Sequence, residues 1–238
     1  MTKPADTRPA STVVLLRDAD DGLETLLLRR NQALMFAGGF WVFPGGALDE
    51  ADLAAADGDV RLAAKLAAAR EAFEESGLQP REKDMVALSH WTTPEVEPKR
   101  FSTWFFAAPL ERDAEVVIDG GEIHDSRWIK VKEAIALHEA GELGLLPPTY
   151  VSLLNLARYD NMAQMLEEER STPAPELMPV IGDCDGALVV MFPGDAGYTS
   201  GDGSVAGARH RVTLHDQSWS YDYAGDPDFP CLAGQRSL

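Results

Sequence analysis

Residues 70–78 read REAFEESGL, in which Arg70 leads Glu71, Glu74 and Glu75 and Gly77 closes the run. On a helix these three carboxylates fall at i, i+3 and i+4 and share one face. Like charges crowded in this way cost helix stability. A hard divalent cation such as Mg²⁺ prefers carboxylate oxygen and relieves that cost. The segment therefore proposes a metal site, and a metal site proposes chemistry. For the triplet alone, the plain alternative is a solvated acidic helix face.

The elements that must hold this face can be read around it. Residues 59–76 are rich in Ala, Leu, Glu, Lys and Arg, all good helix formers. Asp59 is placed to cap the helix start and Gly77 to stop it. Leu62, Leu66, Ala69 and Phe73 recur at helical spacing, which predicts that they form the stripe facing the core. STVVLLRDADDGLETLLLRR predicts two strands joined at Asp20-Asp21-Gly22. Trp41-Val42-Phe43 is a short apolar run ending in a loop at Pro44-Gly45-Gly46. Further strands are expected at Phe101–Ala107, Val116–Ile118 and Trp128–Ile129. Helices are expected from Val131 to Ala140, stopped by Gly141, and from Pro147 roughly to Glu169. Strands followed by helices, with no long repeat, predict a mixed α/β fold.

Beyond STPAPELMP (171–179), read as a linker or irregular crossing, the texture changes. Short strands are expected at Ala187–Phe192, Arg211–Leu214 and Trp219–Tyr223, with a Gly-rich loop from Gly194 to Gly207. Residues 1–170 thus form the main domain. Residues 171–238 form a β-rich C-terminal extension expected to pack on it.

The chain has 238 residues, 45% apolar and 25% charged, within the range of a globular protein with one large core. No apolar run reaches about 18 residues, so no transmembrane helix is expected. The net charge of −18 disfavours nucleic-acid backbones and anionic lipid. A small anionic ligand stays compatible with it, because a metal or arginine can reverse the sign inside a pocket. The N-terminus lacks a signal core, and Cys184 and Cys231 lack metal-type spacing, which points to the cytoplasm and reduced thiols. The final RSL is only loosely like a peroxisomal address. Trp91, Trp104 and Trp128 read as core residues, and His124 and His138 as surface residues. His210 and His215 have no framework for zinc. GDCDG (182–186) lacks the downstream Glu of a calcium loop.

GGALDEAD followed by REAFEESGL resembles the Nudix box of Nudix hydrolases, G-x5-E-x7-R-E-U-x-E-E-x-G-U, with Ala72 and Leu78 at the aliphatic U positions. Counting from Gly46, the first acidic position is Asp52 rather than Glu. Seventeen residues then separate Asp52 from Arg70, ten more than the motif has. The insertion, around LAAADGD, is expected to lengthen the loop before the helix. The resemblance implies an α/β/α sandwich and Mg²⁺- or Mn²⁺-dependent hydrolysis of a diphosphate. It implies that Glu71, Glu74 and Glu75 bind metal, that Arg70 orients them, and that the Gly45 carbonyl is a backbone ligand. It also implies a further glutamate shortly before a tryptophan strand, for which Glu122 in GGEIHDSRWI is the candidate. Glu74, Glu75 or Glu122 can serve as general base.

The stretch LLLRRNQALMFAGGFWVFPGG (26–46) resembles the signature LLTxRSxxx(R/K)xxxGxxxFPGG of coenzyme A diphosphatases. Leu26, Leu27, Arg30, Gly39 and the FPGG of 43–46 match. Leu28, Asn31 and Met35 replace the Thr, the Ser and the second basic residue. WTTPEVEPKRFSTWFF (91–106) and LLPPTY (145–150) also look like that branch, and the likeness covers roughly residues 10–160. It implies coenzyme A or acyl-CoA as substrate, cleaved to 3′,5′-ADP and a phosphopantetheine. Arg30 would contact substrate or else simply end its strand, and Lys99 and Arg100 would approach the 3′-phosphate or else simply flank a strand. ADP-ribose, NADH or a nucleotide sugar is the alternative substrate. A non-catalytic nucleotide-sensing Nudix domain is the alternative of another class. Homodimers are common in the family.

Overall fold

The computed structural model describes residues 5–34, 37–225 and 231–233. Met35 and the C-terminal RSL lie outside these residues. β1 (Thr7–Asp18) and β2 (Leu23–Arg30) form the expected antiparallel pair. On β1, Val13 and Leu15 enter one core while Val14 and Leu16 enter another, and all four are fully buried. Successive strand residues point to opposite faces, so this uninterrupted apolar run suits a strand covered on both sides.

β3 (Trp41–Val42) pairs with β2. The Pro-Gly-Gly segment, expected as a loop, carries a short strand instead. β4 (Gly45–Ala47) pairs antiparallel with β1, Thr12 opposite Gly45. The insertion is also not a longer loop. It completes α1 (Glu50–Ala55) and turns through residues 56–59; α1 is started by a capping box in which Asp49 accepts from the Asp52 N–H and Asp52 accepts from the Asp49 N–H. α2 (Val60–Ser76) follows, capped by Asp59 and closed by Gly77 at φ 72°, as expected.

The face that α2 buries differs from the expected one. Ala63, Ala64, Ala67, Ala68 and Ala72 are buried, while Leu62 and Phe73 are exposed. Alanine lets the helix axis sit close to the sheet, and bulky side chains there would lift it away. The leucine stripe is therefore displaced to the outer side, where Leu66 lines a cleft with Ala51, Asp52 and Ala55 of α1.

β5 (Val86–Thr92), β6 (Arg100–Pro109) and β7 (Ile123–Lys130) complete the main sheet, with β6 parallel to β1 over its whole length. No strand forms at Val116–Ile118. Those residues run irregularly past the end of α2, where the Val117 N–H donates to the Ser76 carbonyl at 2.8 Å. α3 (Val131–Glu139) is as expected. The long helix is instead two, α4 (Pro147–Leu156) and α5 (Met162–Ser171), because the Asn161 side chain caps a new start through the Gln164 N–H. The 171–179 segment contributes β8 (Glu176–Leu177), parallel to β5. The resulting mixed sheet has the order β3-β2-β1-β6-β5-β8, with β4 on β1 and β7 on β2. α2 covers one face and α3, α4 and α5 the other, an α/β/α sandwich.

The C-terminal strands β9 (Val180–Cys184), β10 (Ala187–Met191), β11 (Arg209–His215) and β12 (Ser218–Ala224) form a separate antiparallel sheet in the order 12-11-10-9. Phe192, Val212 and Trp219 join the core beneath α3–α5. His138, expected at the surface, is fully buried at this junction. Its Nδ1–H donates to the Leu143 carbonyl at 2.9 Å, and its Nε2 accepts the Trp219 backbone N–H at 2.8 Å. A carbonyl only accepts and an amide only donates, so both contacts require this neutral tautomer. Burial likewise lowers its pKa. Among the described residues no helix is long and apolar enough to cross a membrane.

Candidate active site

α2 lies against β4, so its glutamates face the Gly45–Ala47 backbone. The Gly45 N–H donates to Glu75 Oε2 at 3.0 Å. Glu71 stands so close to Gly46 that a Cβ there would collide with its carboxylate. Glu71, Glu74, Glu75, Gly45 and Gly46 line one cleft with Asp119 and Glu122 from the loop before β7. The cleft's cations are Arg8, Arg30 and Lys99.

Arg70 is the hub on the helix side. Its Nη1 donates to Glu71 at 2.8 Å and Glu74 at 3.3 Å, and its Nη2 to Asp52 at 2.9 Å and the Ala47 carbonyl at 3.1 Å. Its pKa is raised, first by the Asp52 hydrogen bond. The inserted helix α1 thus carries Asp52 back to Arg70, and the interruption of the box leaves this contact intact. Burial is the main cause that raises both Glu71 and Glu75, with the Arg70 hydrogen bond opposing it at Glu71. Glu75 is pushed up to about 8, against the lowering pulls of the Gly45 N–H and Arg30.

Glu122 pairs with Arg30, Oε2 to Nη2, at 3.2 Å. Asp119 accepts from the Glu122 and Ile123 N–H groups and so shapes this loop. The Arg30 Nε is buried without a partner among the described residues. Lys99 is exposed, with its ammonium 5.3 Å from the centre of the Phe101 ring. Arg100 stands apart from the cleft. Its buried guanidinium donates to the Thr93 and Ala5 carbonyls at 3.1 and 2.9 Å. Of the expected site residues, Gly45, Glu71, Glu74, Glu75, Glu122, Arg30 and Lys99 therefore share the cleft, and Arg70 borders it. Arg8 and Asp119 were not anticipated. Arg8 lies in an N-terminal stretch with no motif, and only its register opposite Phe101 brings it here.

Among the described residues no three His, Cys, Asp or Glu side chains converge as a ready-made metal site. Each carboxylate is engaged with a cation or an amide instead. The donor set nevertheless fits a hard divalent ion: every donor is oxygen, and the carboxylates are crowded and partly desolvated. The gap left by the missing Gly46 Cβ is where the Glu71 carboxylate stands.

The family model of the NUDIX domain matches residues 6–149. The chain belongs to the Nudix family. Nudix hydrolases act on diphosphate linkages of nucleoside diphosphate derivatives, generally with divalent ions such as Mg²⁺ or Mn²⁺, and this protein is a hydrolase of that class. Putative nudix hydrolase 7 of Caenorhabditis elegans is 25% identical over 210 residues, 73% of this chain and 69% of that protein. The acyl-coenzyme A diphosphatase NUDT19 of Xenopus laevis is 25% identical over 137 residues, which are 55% of this chain but only 36% of that protein. The crystal structure of a Nudix hydrolase from Alicyclobacillus acidocaldarius superposes with a TM-score of 0.64 at 25% identity, covering 71% of this chain and 98% of that one.

Proposed function

We propose that this Nudix hydrolase cleaves coenzyme A or an acyl-CoA at its diphosphate, giving 3′,5′-ADP and a phosphopantetheine, in the cytoplasm. The carrying observation is the cleft in which Glu71, Glu74, Glu75 and Glu122 face Arg30 and Lys99. The upstream resemblance and the acyl-CoA diphosphatase relative support the substrate. Glu71, Glu74, Glu75 and Glu122, with the Gly45 carbonyl, would hold the Mg²⁺ or Mn²⁺. When bound, a divalent ion neutralises non-bridging phosphate oxygens and lowers the pKa of water.

The chain's own groups do the rest. Arg30 and Lys99 balance the charge of the diphosphate. Arg70 holds Glu71 and Glu74 in place. Water forms a P–O bond to one phosphorus while the bridging P–O bond breaks. One water proton passes to a carboxylate, and the bridging oxygen leaves with the second phosphate. Glu74, Glu75 and Glu122 are the candidate acceptors.

Phosphatase-coupled phosphate release over a panel of diphosphates, with and without Mg²⁺, tests the reading. Metal-dependent turnover, with CoA compounds preferred over ADP-ribose and NADH by kcat/KM, is expected. No turnover of any member would leave a nucleotide-sensing domain. A marked preference for ADP-ribose would overturn the CoA reading. Glu74→Gln with near-normal kcat would remove Glu74 from the site.

A further inference from the structure

A second cavity, of about 420 Å³, opens beside the acidic cleft and shares Thr12, Arg30, Gly45, Phe101 and Thr103 with it. Its inner wall comes from the main sheet and includes Val42, Phe43 and Phe105. Its outer wall is Pro179, Ile181, Leu188, Val190 and Trp219, all from the C-terminal segment. The strand register explains why these side chains converge. Val190 lies opposite Ile181 in the β9–β10 ladder, and Leu188 sits two residues before Val190 and so on the same face. Trp219 is fixed at both ends, by His138 on its backbone N–H and by the Leu145 carbonyl on its indole N–H at 3.1 Å.

The two cavities differ in kind. One is ringed by carboxylates and cations, the other by aliphatic side chains, prolines and aromatic rings. A nucleoside or sugar needs several fixed polar partners, whereas the outer wall is apolar and the chamber's polar side chains are five threonines, Glu97 and, at the junction, Arg30. Leu188 is 42% exposed and faces the opening, an apolar contact left waiting for a partner. Arg30 lines both cavities and so stands at their junction.

Resting on the diphosphatase reading above, we infer that the C-terminal sheet is a specificity element. The chamber it closes receives the acylated pantetheine arm, so acyl-CoA is preferred over free CoA and over substrates whose second half is a sugar. The outer wall of the chamber lies beyond the residues that match the family model, which end at Thr149. A cavity of this size accommodates an arm with a short or medium acyl group, so the preference levels off as the chain lengthens.

The experiment measures kcat/KM of the full chain with Mg²⁺ for CoA, acetyl-, butyryl-, octanoyl- and palmitoyl-CoA and ADP-ribose. Each fully buried methylene corresponds to about fourfold. After ordering losses, octanoyl-CoA is expected to exceed CoA by about tenfold or more. In Leu188→Asp this ratio should fall to about threefold or less, because a carboxylate in the apolar wall opposes burial of the chain. If that variant misfolds by circular dichroism, Ile181→Ser takes its place, and the wild-type chain-length profile decides by itself. A flat profile, or equal losses for octanoyl-CoA and ADP-ribose in the variant, overturns the inference and leaves the diphosphatase reading standing. Absence of metal-dependent turnover on every substrate overturns the diphosphatase reading itself.

Discussion

The acidic cleft and the apolar chamber meet at Arg30, yet opposite physics holds each in place. The cleft gathers like charges that repel, and it stays assembled because Arg70 bridges Asp52, Glu71 and Glu74. The chamber gathers apolar side chains, and it stays assembled because a buried neutral histidine ties β12 to α3. One region is stressed by burial of charge. The other is stable through burial and carries a polar tie at His138. A substrate with one charged and one apolar half would be oriented by that contrast alone.

The largest effect expected from breaking the contrast is Glu75→Gln. It should lower kcat about 10²–10⁴-fold if Glu75 is the proton acceptor. In EDTA near pH 8 the same variant should melt higher than wild type, because it removes a buried carboxylate. A variant that melts lower and keeps its activity would break the account of the cleft.

Next comes the tie of the chamber. His138→Ala leaves the Trp219 N–H buried without an acceptor, a cost of about 1–3 kcal/mol. Chemical denaturation should show that loss. Hydrogen exchange should quicken at β12 while α2 keeps its protection. Uniform loosening of both regions would contradict their separate support.

Asp52→Ala removes one arm of the capping box, leaving the Asp49 cap in place, and a partner of Arg70. A loss of about 1–2 kcal/mol is expected from the broken hydrogen bonds to the Asp49 N–H and the Arg70 guanidinium, with kcat/KM reduced as Arg70 turns further onto Glu71 and Glu74. Unchanged melting and kinetics would show that α1 is an idle insertion.

The contrast also appears in pH, where the two regions have opposite signs. Glu75 is raised in the folded state, so between its ordinary value of 4.5 and about 8 the unfolded chain has lost a proton that the fold keeps. Its contribution to stability therefore falls as pH rises through that window. His138 is lowered in the folded state, so the unfolded chain binds the extra proton. Its contribution is lost as pH falls below the ordinary imidazole value of 6.5. Melting curves in EDTA should show Glu75→Gln flattening the alkaline side and His138→Ala flattening the acid side. Adding Mg²⁺ should stabilise wild type more at pH 8 than at pH 6, since bound carboxylates must be ionised.

Much of the cleft was legible in the chain because its parts are local. Asp59, Gly77, Arg70 and the three glutamates lie on one helix, where spacing dictates the face. The strands β1, β2, β6 and β7 were legible for the same reason, as apolar runs bounded by turns. The buried face of α2 was misread because hydropathy favours Leu62 and Phe73 over alanine, whereas close packing on a sheet favours alanine. The break at Asn161 was missed because a cap inside a helix-forming run competes only when α5 can fold back. His138 and Arg8 gave no signal, since their partners lie 81 and 93 residues away in sequence, at Trp219 and Phe101.

The sequence by itself determined the reactive groups, their order on α2 and the α/β character, because helical and strand periodicities are properties of neighbours. Tertiary structure alone decided that α1 returns Asp52 to Arg70 and that Arg100 is spent on backbone carbonyls. It also decided that β9, β10 and β12 close a chamber against the cleft. Those outcomes depend on contacts between distant segments, and only the packed fold sets which distant segments meet.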